Sequence, residues 1–369
     1  MVITPQHNMA GVSKEVLSEA DHECNIVKLL PYQHQVGGHN CVLLYDEKTI
    51  CKPLDEQEHR VYSKIPDGLK EFIPKIKGVV KVHYERIGDD VFCFAIPLDC
   101  SYCKDIQRLR NYLIATDALN ERSLDGSMDA SVRSTSRSDR SYHDAFWNDM
   151  LKEKLVRRWL KNAKQKELEK FILLENISKR FKYPCTIDLK MGTRVFGDAA
   201  SREKREVKQK RANSSTSASL GVRLCGMQIY HPVTNKYIFT DKYKGREYSK
   251  SDFKDCIKNF IFNGSMYRVE LLKPCIDKLK ALHSQLENIE CYRFYCSSLL
   301  LMYDGVHTRA DREPDIEVRM IDFAHTTVKE DETNHHLGPD HGYILGVESL
   351  INLFTQINEE LTQVTEDTA

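Results

Sequence analysis

Pro184-Cys-Thr-Ile-Asp188-Leu-Lys190-Met-Gly192 is an apolar strand that carries an aspartate and a lysine two residues apart. Side chains alternate across a strand, so Asp188 and Lys190 face one side and set opposite charges at one spot. Two readings stand for such a pair: an exposed ion pair worth little, or a site for a phosphate group. Gly192 and the basic stretch after it favour the second, since Arg202 to Arg211 holds six Lys/Arg against two Glu. A cluster of that kind attracts an anionic partner. A second run, Lys152 to Lys170, has eight Lys/Arg against three Glu and reads as a solvated helix face.

Upstream of this strand, the apolar run Cys41 to Tyr45, the turn Asp46 to Thr49, and Ile50-Cys-Lys52 before Pro53 predict a hairpin ending in a lysine. Asp55 to Lys64 reads as a short helix, and Val79 to Tyr84 and Val91 to Ile96 as strands. Trp147 to Ile172 has a long helical pattern rich in Lys and Glu. Downstream, Lys273-Pro274 opens a helix with Ile276, Leu279, Leu282, Leu286 and Ile289 at helical spacing. Cys291 to Tyr303 and Glu317 to Phe323 read as strands, and Leu345 to Leu361 as an amphipathic helix. The first 24 residues lack periodicity and read as a flexible lead-in. Ser123 to Ser141, with seven serines among Arg and Asp, cannot build a core, which predicts a disordered insert at about 118–143. The pattern is a mixed α+β fold with two lobes.

The 369 residues, 41% hydrophobic and 29% charged, suffice to bury a core in two such lobes. No apolar run approaches the roughly 20 residues that span a bilayer, and Met1 to Ala10 shows no signal-peptide pattern. The expected location is the cytoplasm, the nucleus or both. Twelve cysteines in such a chain are expected as reduced thiols. The one CxxC, Cys100 to Cys103, lacks the second pair that a structural zinc needs, and His335, His336 and His341 read as a polar loop. Arg202 to Arg211 carries no aromatic, Lys152 to Lys170 carries only Trp159, and neither run has a recognition motif, so no nucleic acid is expected.

Phosphoryl transfer needs a cation on the nucleotide phosphates, a carboxylate for magnesium, a group that orients the attacking oxygen, and a grip on the acceptor. Walker A and GxGxxG loops are absent. So is the protein-kinase catalytic loop, which counts against an ordinary protein kinase. Gly37-Gly38, followed by a strand and Lys52, resembles the phosphate-covering loop and strand lysine of protein kinases. Glu58, one short helix on, is placed to hold that lysine, although both can equally be surface charges. Asp322, at the end of the apolar strand Val318-Arg-Met-Ile, is a candidate magnesium ligand or the cap of a turn.

Together Pro184-x-x-x-Asp188-x-Lys190-x-Gly192, Ser297-Ser-Leu-Leu300 and Ile321-Asp-Phe-Ala-His325 resemble, in order, the PxxxDxKxG, SSLL and IDF elements of the inositol polyphosphate kinases. His34 to His39, Cys51 to Leu54, Phe181 to Pro184, Asp188 to Arg194, Leu220 to Gln228 and Gly338 to Tyr343 are similar to the inositol hexakisphosphate kinase branch. The resemblance runs from about Leu29 to Gln356, the serine-rich insert excepted, with a shorter loop between Gly305 and Asp315 than in many animal relatives.

This resemblance implies a two-lobed fold, protein-kinase-like or ATP-grasp-like, with an N-lobe over 25–174, a hinge at 175–177 and a C-lobe over 178–369. ATP would lie between the lobes, with the backbone of Glu175 and Ile177 on adenine, Lys52 on the phosphates held by Glu58, and Asp322 on Mg²⁺ with help from Ser297 or Ser298. Asp188 would orient the acceptor oxygen and Lys190 would neutralise charge between acceptor and γ-phosphate. Pro184, Gly192, Lys204, Lys208, Lys210 and Arg211 would complete the acceptor site. The acceptor would be inositol hexakisphosphate, with inositol pentakisphosphate as a second, and the family extends the 5-phosphate. Six phosphates at about −1.5 to −2 each require a cluster of Lys and Arg. The rival expectations are a hydroxyl-phosphorylating relative, such as a multikinase or trisphosphate 3-kinase, and a non-catalytic inositol phosphate-binding scaffold.

Overall fold

The computed structural model describes residues 25–38, 41–87, 90–100, 153–161, 168–306, 315–330 and 336–366. The lead-in and the serine-rich insert lie outside them. The chain is an α+β protein built from a small barrel and a larger sheet. The barrel closes in the order β1 (Val27–Pro31), β2 (Leu43–Asp46), β3 (Thr49–Pro53), β6 (Glu169–Glu175), β4 (Ile76–Ile87), β5 (Asp90–Ile96). Helix α1 (Glu56–Lys64) follows β3, its first turn capped by the Asp55 carboxylate, which accepts from the Glu58 N–H. That cap fixes where the helix begins and therefore where Glu58 points.

The expected helix over 147–172 is only partly realised. Residues 153–161 are helical (α2), but Glu169–Glu175 is the barrel strand β6. Phe171, Ile172, Leu173 and Leu174 are four consecutive buried apolar residues, and β6 pairs with β3 on one side and β4 on the other. A strand buried on both faces needs such a run, whereas one face of a helix does not.

The second sheet is antiparallel in the order β11 (Ile316–Ile321), β10 (Ser298–Asp304), β7 (Pro184–Met191), β8 (Val222–His231), β9 (Lys236–Asp241). Between β7 and β8 lie helices α3 (Arg202–Asn213) and α4 (Thr216–Leu220). After β9 come α5 (Lys242–Glu247), α6 (Lys250–Phe260) and α7 (Leu272–Glu287), and α8 (His341–Glu366) follows β11. The predicted strand over 291–303 begins only at Ser298. Before it the backbone is irregular: Cys291 and Cys296 take left-handed φ of 64° and 59°. Arg293 exchanges backbone bonds with Thr327, and the Asp340 carboxylate accepts from the Phe294 N–H. Nine cysteines among the described residues carry thiols, but Cys100 is disulfide-bonded, so the expectation of reduced cysteines throughout fails there.

Leu279, Leu282 and Leu286 of α7 and Val347, Leu350 and Phe354 of α8 cover one face of the sheet as a single core. The close seat of α8 depends on two glycines. A Cβ on Gly346 would lie 2.4 Å from the Gly221 carbonyl oxygen, and Gly221 itself has φ +64° and caps α4. Gly346→Val is therefore expected to push α8 off the sheet and destabilise the fold by about 2 kcal/mol, read as a lower urea midpoint at unchanged m-value.

Candidate functional site

Barrel and sheet face each other across a cleft of about 490 Å³. One end is apolar, with Val42, Ile50, Leu174, Leu300, Met302 and Ile321 along the walls beside Glu175 and Ile177. The other end is charged. Lys52 on β3 extends its ammonium to Glu58 Oε1 on α1 and to Asp322 Oδ1 past β11, both at 2.8 Å. Burial alone would pull the Lys52 pKa down; the carboxylates of Asp322 and Glu58 outweigh it and hold the group above its ordinary value. Glu58 is pushed up by burial and down by Lys52. Its Oε1 also accepts from the Phe323 N–H. That bond pins the residue after Asp322, whose φ of +65° is strained for a side-chain-bearing residue. The Asp322 carboxylate is thereby turned out of the strand into the cleft.

Asp188 and Lys190 stand opposite, on β7, the middle strand of the sheet. Lys190 donates to the Cys296 carbonyl at 2.6 Å. Asp188 is buried; burial raises its pKa, with Lys190 opposing and Asp322 reinforcing the rise. Its Oδ1 closes no hydrogen bond with the described residues, although the Ser298 hydroxyl leans toward the carboxylate. That oxygen is enclosed, so the carboxylate meets the cleft through Oδ2. Ser297 is committed elsewhere, donating to the Phe294 carbonyl at 2.7 Å, so of the two serines only Ser298 faces the site.

The basic cluster divides by helical phase. Lys208 and Arg211 line the cleft. Lys204, one turn earlier on the same face of α3, is exposed, but its charge reaches His325 and Cys296 at the cleft wall. Lys210 does not line the cleft; it points from a different face of α3, and its carbonyl caps the helix end. Pro184 and Gly192 are framework. The Pro184 carbonyl accepts from Gln228 at 2.8 Å. Gly192, at φ +88°, gives its N–H to the Gly221 carbonyl at 2.7 Å. Both set the ends of the strand that carries Asp188 and Lys190, and neither lines the cleft.

Three cations were not anticipated: Arg223 on β8, and Lys242 and Arg246 on α5, all lining the same end. Arg223 is paired in register with Lys190, and burial lowers its pKa. Nothing marks it in isolation, being one arginine in the apolar run Val222 to Cys225. The strand pairing alone brings it beside Lys190. The Gly37-Gly38 turn also differs from expectation: Gly37 lies against the Asp188 carboxylate rather than near Lys52 alone, since a Cβ there would meet Oδ2 at 2.0 Å. His34, beside it, is held neutral by burial, which pulls its pKa from 6.5 to about 4.

Two consequences can be measured. Lys52→Met strands the Glu58 carboxylate, only 4% exposed, without its cation, and should destabilise the fold by about 3 kcal/mol. The deficit should shrink on acidification, because a protonated Glu58 needs no cation. For His34 the unfolded chain binds a proton below about 6.5 and the folded chain only below about 4. The contribution is thus complete above that window and declines as pH falls through it; urea titrations across it should show a shallower decline in His34→Asn.

Comparison with known proteins follows the same lines. Residues 171–355 match the family model described as inositol polyphosphate kinase. Inositol hexakisphosphate kinase 2 of Homo sapiens is 36% identical over 407 residues, covering 90% of this chain and 96% of that protein. Inositol hexakisphosphate kinase 1 of Rattus norvegicus is 33% identical, over 90% of this chain and 94% of its own. Among solved structures, an inositol phosphate multikinase from S. cerevisiae, in complex with ADP and Mn²⁺, aligns with a TM-score of 0.44 at 27% identity, over 51% of this chain and 84% of that one. Matched through its second half by the family model and over 90% of its length by full-length kinases of that kind, the chain belongs to the inositol polyphosphate kinase family.

Proposed function

We infer that the protein is an ATP-dependent inositol hexakisphosphate kinase that transfers the γ-phosphoryl group onto an existing phosphate of the ring. The observation that carries this reading is the convergence of two charge systems in one cleft. Lys52, Glu58 and Asp322 form one, and Asp188 and Lys190, ringed by Lys208, Arg211, Arg223, Lys242 and Arg246, form the other. The likeness to inositol hexakisphosphate kinases over almost the whole chain supports inositol hexakisphosphate as the acceptor.

Adenine would sit at the apolar end against the 175–177 segment. The Glu175 N–H is already given to the Lys75 carbonyl, so its contribution would come through its own carbonyl. No group of three metal-ligating side chains occurs among the described residues. Asp322, turned into the cleft with Asp188 opposite, suits instead a Mg²⁺ bound through one or two carboxylates plus substrate phosphates. When bound, the ion would neutralise charge on the transferring phosphoryl group. Lys52 would lie on the ATP phosphates and Lys190 between acceptor and donor.

In the transfer, an acceptor phosphate oxygen forms the new bond to the γ-phosphorus while the bond to the β–γ bridging oxygen breaks, and ADP leaves with that electron pair. The acceptor is already an anion, so Asp188 acts first by orienting it. The main barrier is bringing two polyanions together, which the ring of cations lowers. By family likeness the extended phosphate is the one at ring position 5.

Incubating the protein with Mg-ATP and inositol hexakisphosphate should yield a diphosphoinositol. Asp322→Asn should cut turnover by about a thousandfold, with an unchanged melting profile, because asparagine tolerates the left-handed backbone there. Monoester formation on lower inositol phosphates without any diphosphate product would instead make the protein a hydroxyl kinase, and ligand binding without turnover would make it a scaffold.

A further inference from the structure

The connection between β1 and β2 leaves the barrel and lies across the second sheet. Its base is closed by the Tyr32 N–H donating to the Val42 carbonyl at 3.2 Å, and the Tyr32 phenol lies beside the Ser178 hydroxyl below the hinge. Gln35 ties the segment to itself, donating through Nε2 to the Gly37 carbonyl at 2.8 Å and accepting from the Val42 N–H at 3.2 Å. The Val36 carbonyl rests on Gly226 of β8, where a Cβ would meet it at 1.9 Å. Gly38 lies with its N–H beside the Cys225 thiol. Between these two anchors, Gly37 lies against Asp188 Oδ2.

The outer anchor is a side-chain relay. Gln228, 1% exposed, donates through Nε2 both to the Pro184 carbonyl at 2.8 Å and to His34 Nδ1 at 3.0 Å. The backbone carbonyl accepts only, so it fixes which way the amide points, and His34 Nδ1 must then be the acceptor. A neutral imidazole with its proton on Nε2 is the state that satisfies this, and burial among Tyr32 and Tyr237 favours it.

We propose that the 32–38 segment is an acceptor-positioning strap, and that His34 and Gln228 are positioning residues for the inositol phosphate. The strap borders the one oxygen of Asp188 that meets the cleft. The Gly37 backbone lies against Oδ2, with no room for a side chain between them, whereas Oδ1 is enclosed by the protein. An acceptor phosphate meets the carboxylate at Oδ2, in the room that the Gly37 backbone leaves there, which sets the orientation of the ring. The segment occupies the same place in chain order as a phosphate-covering loop, but its anchors are Pro184, Gln228, Gly226, Cys225 and Asp188, all on the acceptor side.

The inference rests on the kinase reading, and its test separates the two. Wild type, His34→Phe, His34→Asn and Gly37→Ala are compared by steady-state kinetics with Mg-ATP and inositol hexakisphosphate. Calorimetric titration with inositol hexakisphosphate and with a non-hydrolysable ATP analogue runs alongside and needs no turnover. His34→Phe keeps the ring's bulk but loses the acceptor, and should weaken inositol hexakisphosphate about tenfold in KM and in Kd while ATP constants stay within about twofold. His34→Asn offers an amide oxygen to Gln228 and should recover most of that loss. Gly37→Ala, which drives a methyl onto Oδ2, should lower kcat about a hundredfold. A weakened ATP analogue with an unchanged acceptor would overturn the proposal, as would His34→Asn no better than His34→Phe. A wild type without turnover would overturn the kinase reading alone, because the two titrations would still display or deny the acceptor-selective loss.

Discussion

One ammonium group is bonded to carboxylates on both sides of the cleft. Lys52 belongs to the barrel and Asp322 to the far sheet, and Glu58 on α1 completes the triad from a helix whose start is set by Asp55. Glu58 is buried with its cation and depends on it, whereas the Asp322 carboxylate is 37% exposed and open to the cleft. The triad therefore bridges the two faces at the charged end of the cleft. It also holds the charge pattern a nucleotide would meet: a lysine already drawn toward the cleft and a carboxylate turned outward by a left-handed backbone. When phosphates and a cation enter, Lys52 can exchange Asp322 for phosphate while Glu58 keeps it in place.

The second constraint is the shortage of room at Asp188. β7 is the central strand, so its polar side chains cannot escape to solvent at a sheet edge, and both Asp188 and Lys190 must point into the cleft. Gly226 on β8 is small because the Val36 backbone crosses it at contact distance, and Gly37 on the strap because the Asp188 side chain lies against it. Removing side chains from the crossing brings a carboxylate, a lysine and the register-paired Arg223 into one small volume.

The strand Pro184 to Met191, the hairpin that ends in Lys52, the helix α1 and the helices α7 and α8 were legible because each rests on a local pattern: alternation, a cap, or helical spacing of apolar residues. The strand β6 was not, because the Lys- and Glu-rich run before it extends a helical pattern to Lys170, while the four apolar residues that define the strand begin at Phe171. The irregular stretch before Ser298 was lost for the opposite reason. Its aromatic residues suit a strand, but its backbone is held by Asp340 and Thr327, partners distant in sequence.

The site was legible by residue type and only partly by position. Counting cations in Arg202 to Arg211 does not phase them; spacing of four and then three, from Lys204 to Lys208 to Arg211, does, and it leaves Lys210 out. Pro184 and Gly192 belong to the motif because they terminate and aim a strand, which a list of motif residues cannot distinguish from touching a ligand. Arg223, Lys242 and Arg246 carry no local signal at all. They reach the cleft through the register of β8 on β7 and the turn of α5 after β9, so the cations at that end of the cleft are assembled from three separate segments. Cations supplied by one helix would all shift together when that helix moved. Drawn from two helices and the interior strand β8, they hold their spacing only while the sheet keeps its register, which links the charge pattern of the cleft to the stability of the core beneath it.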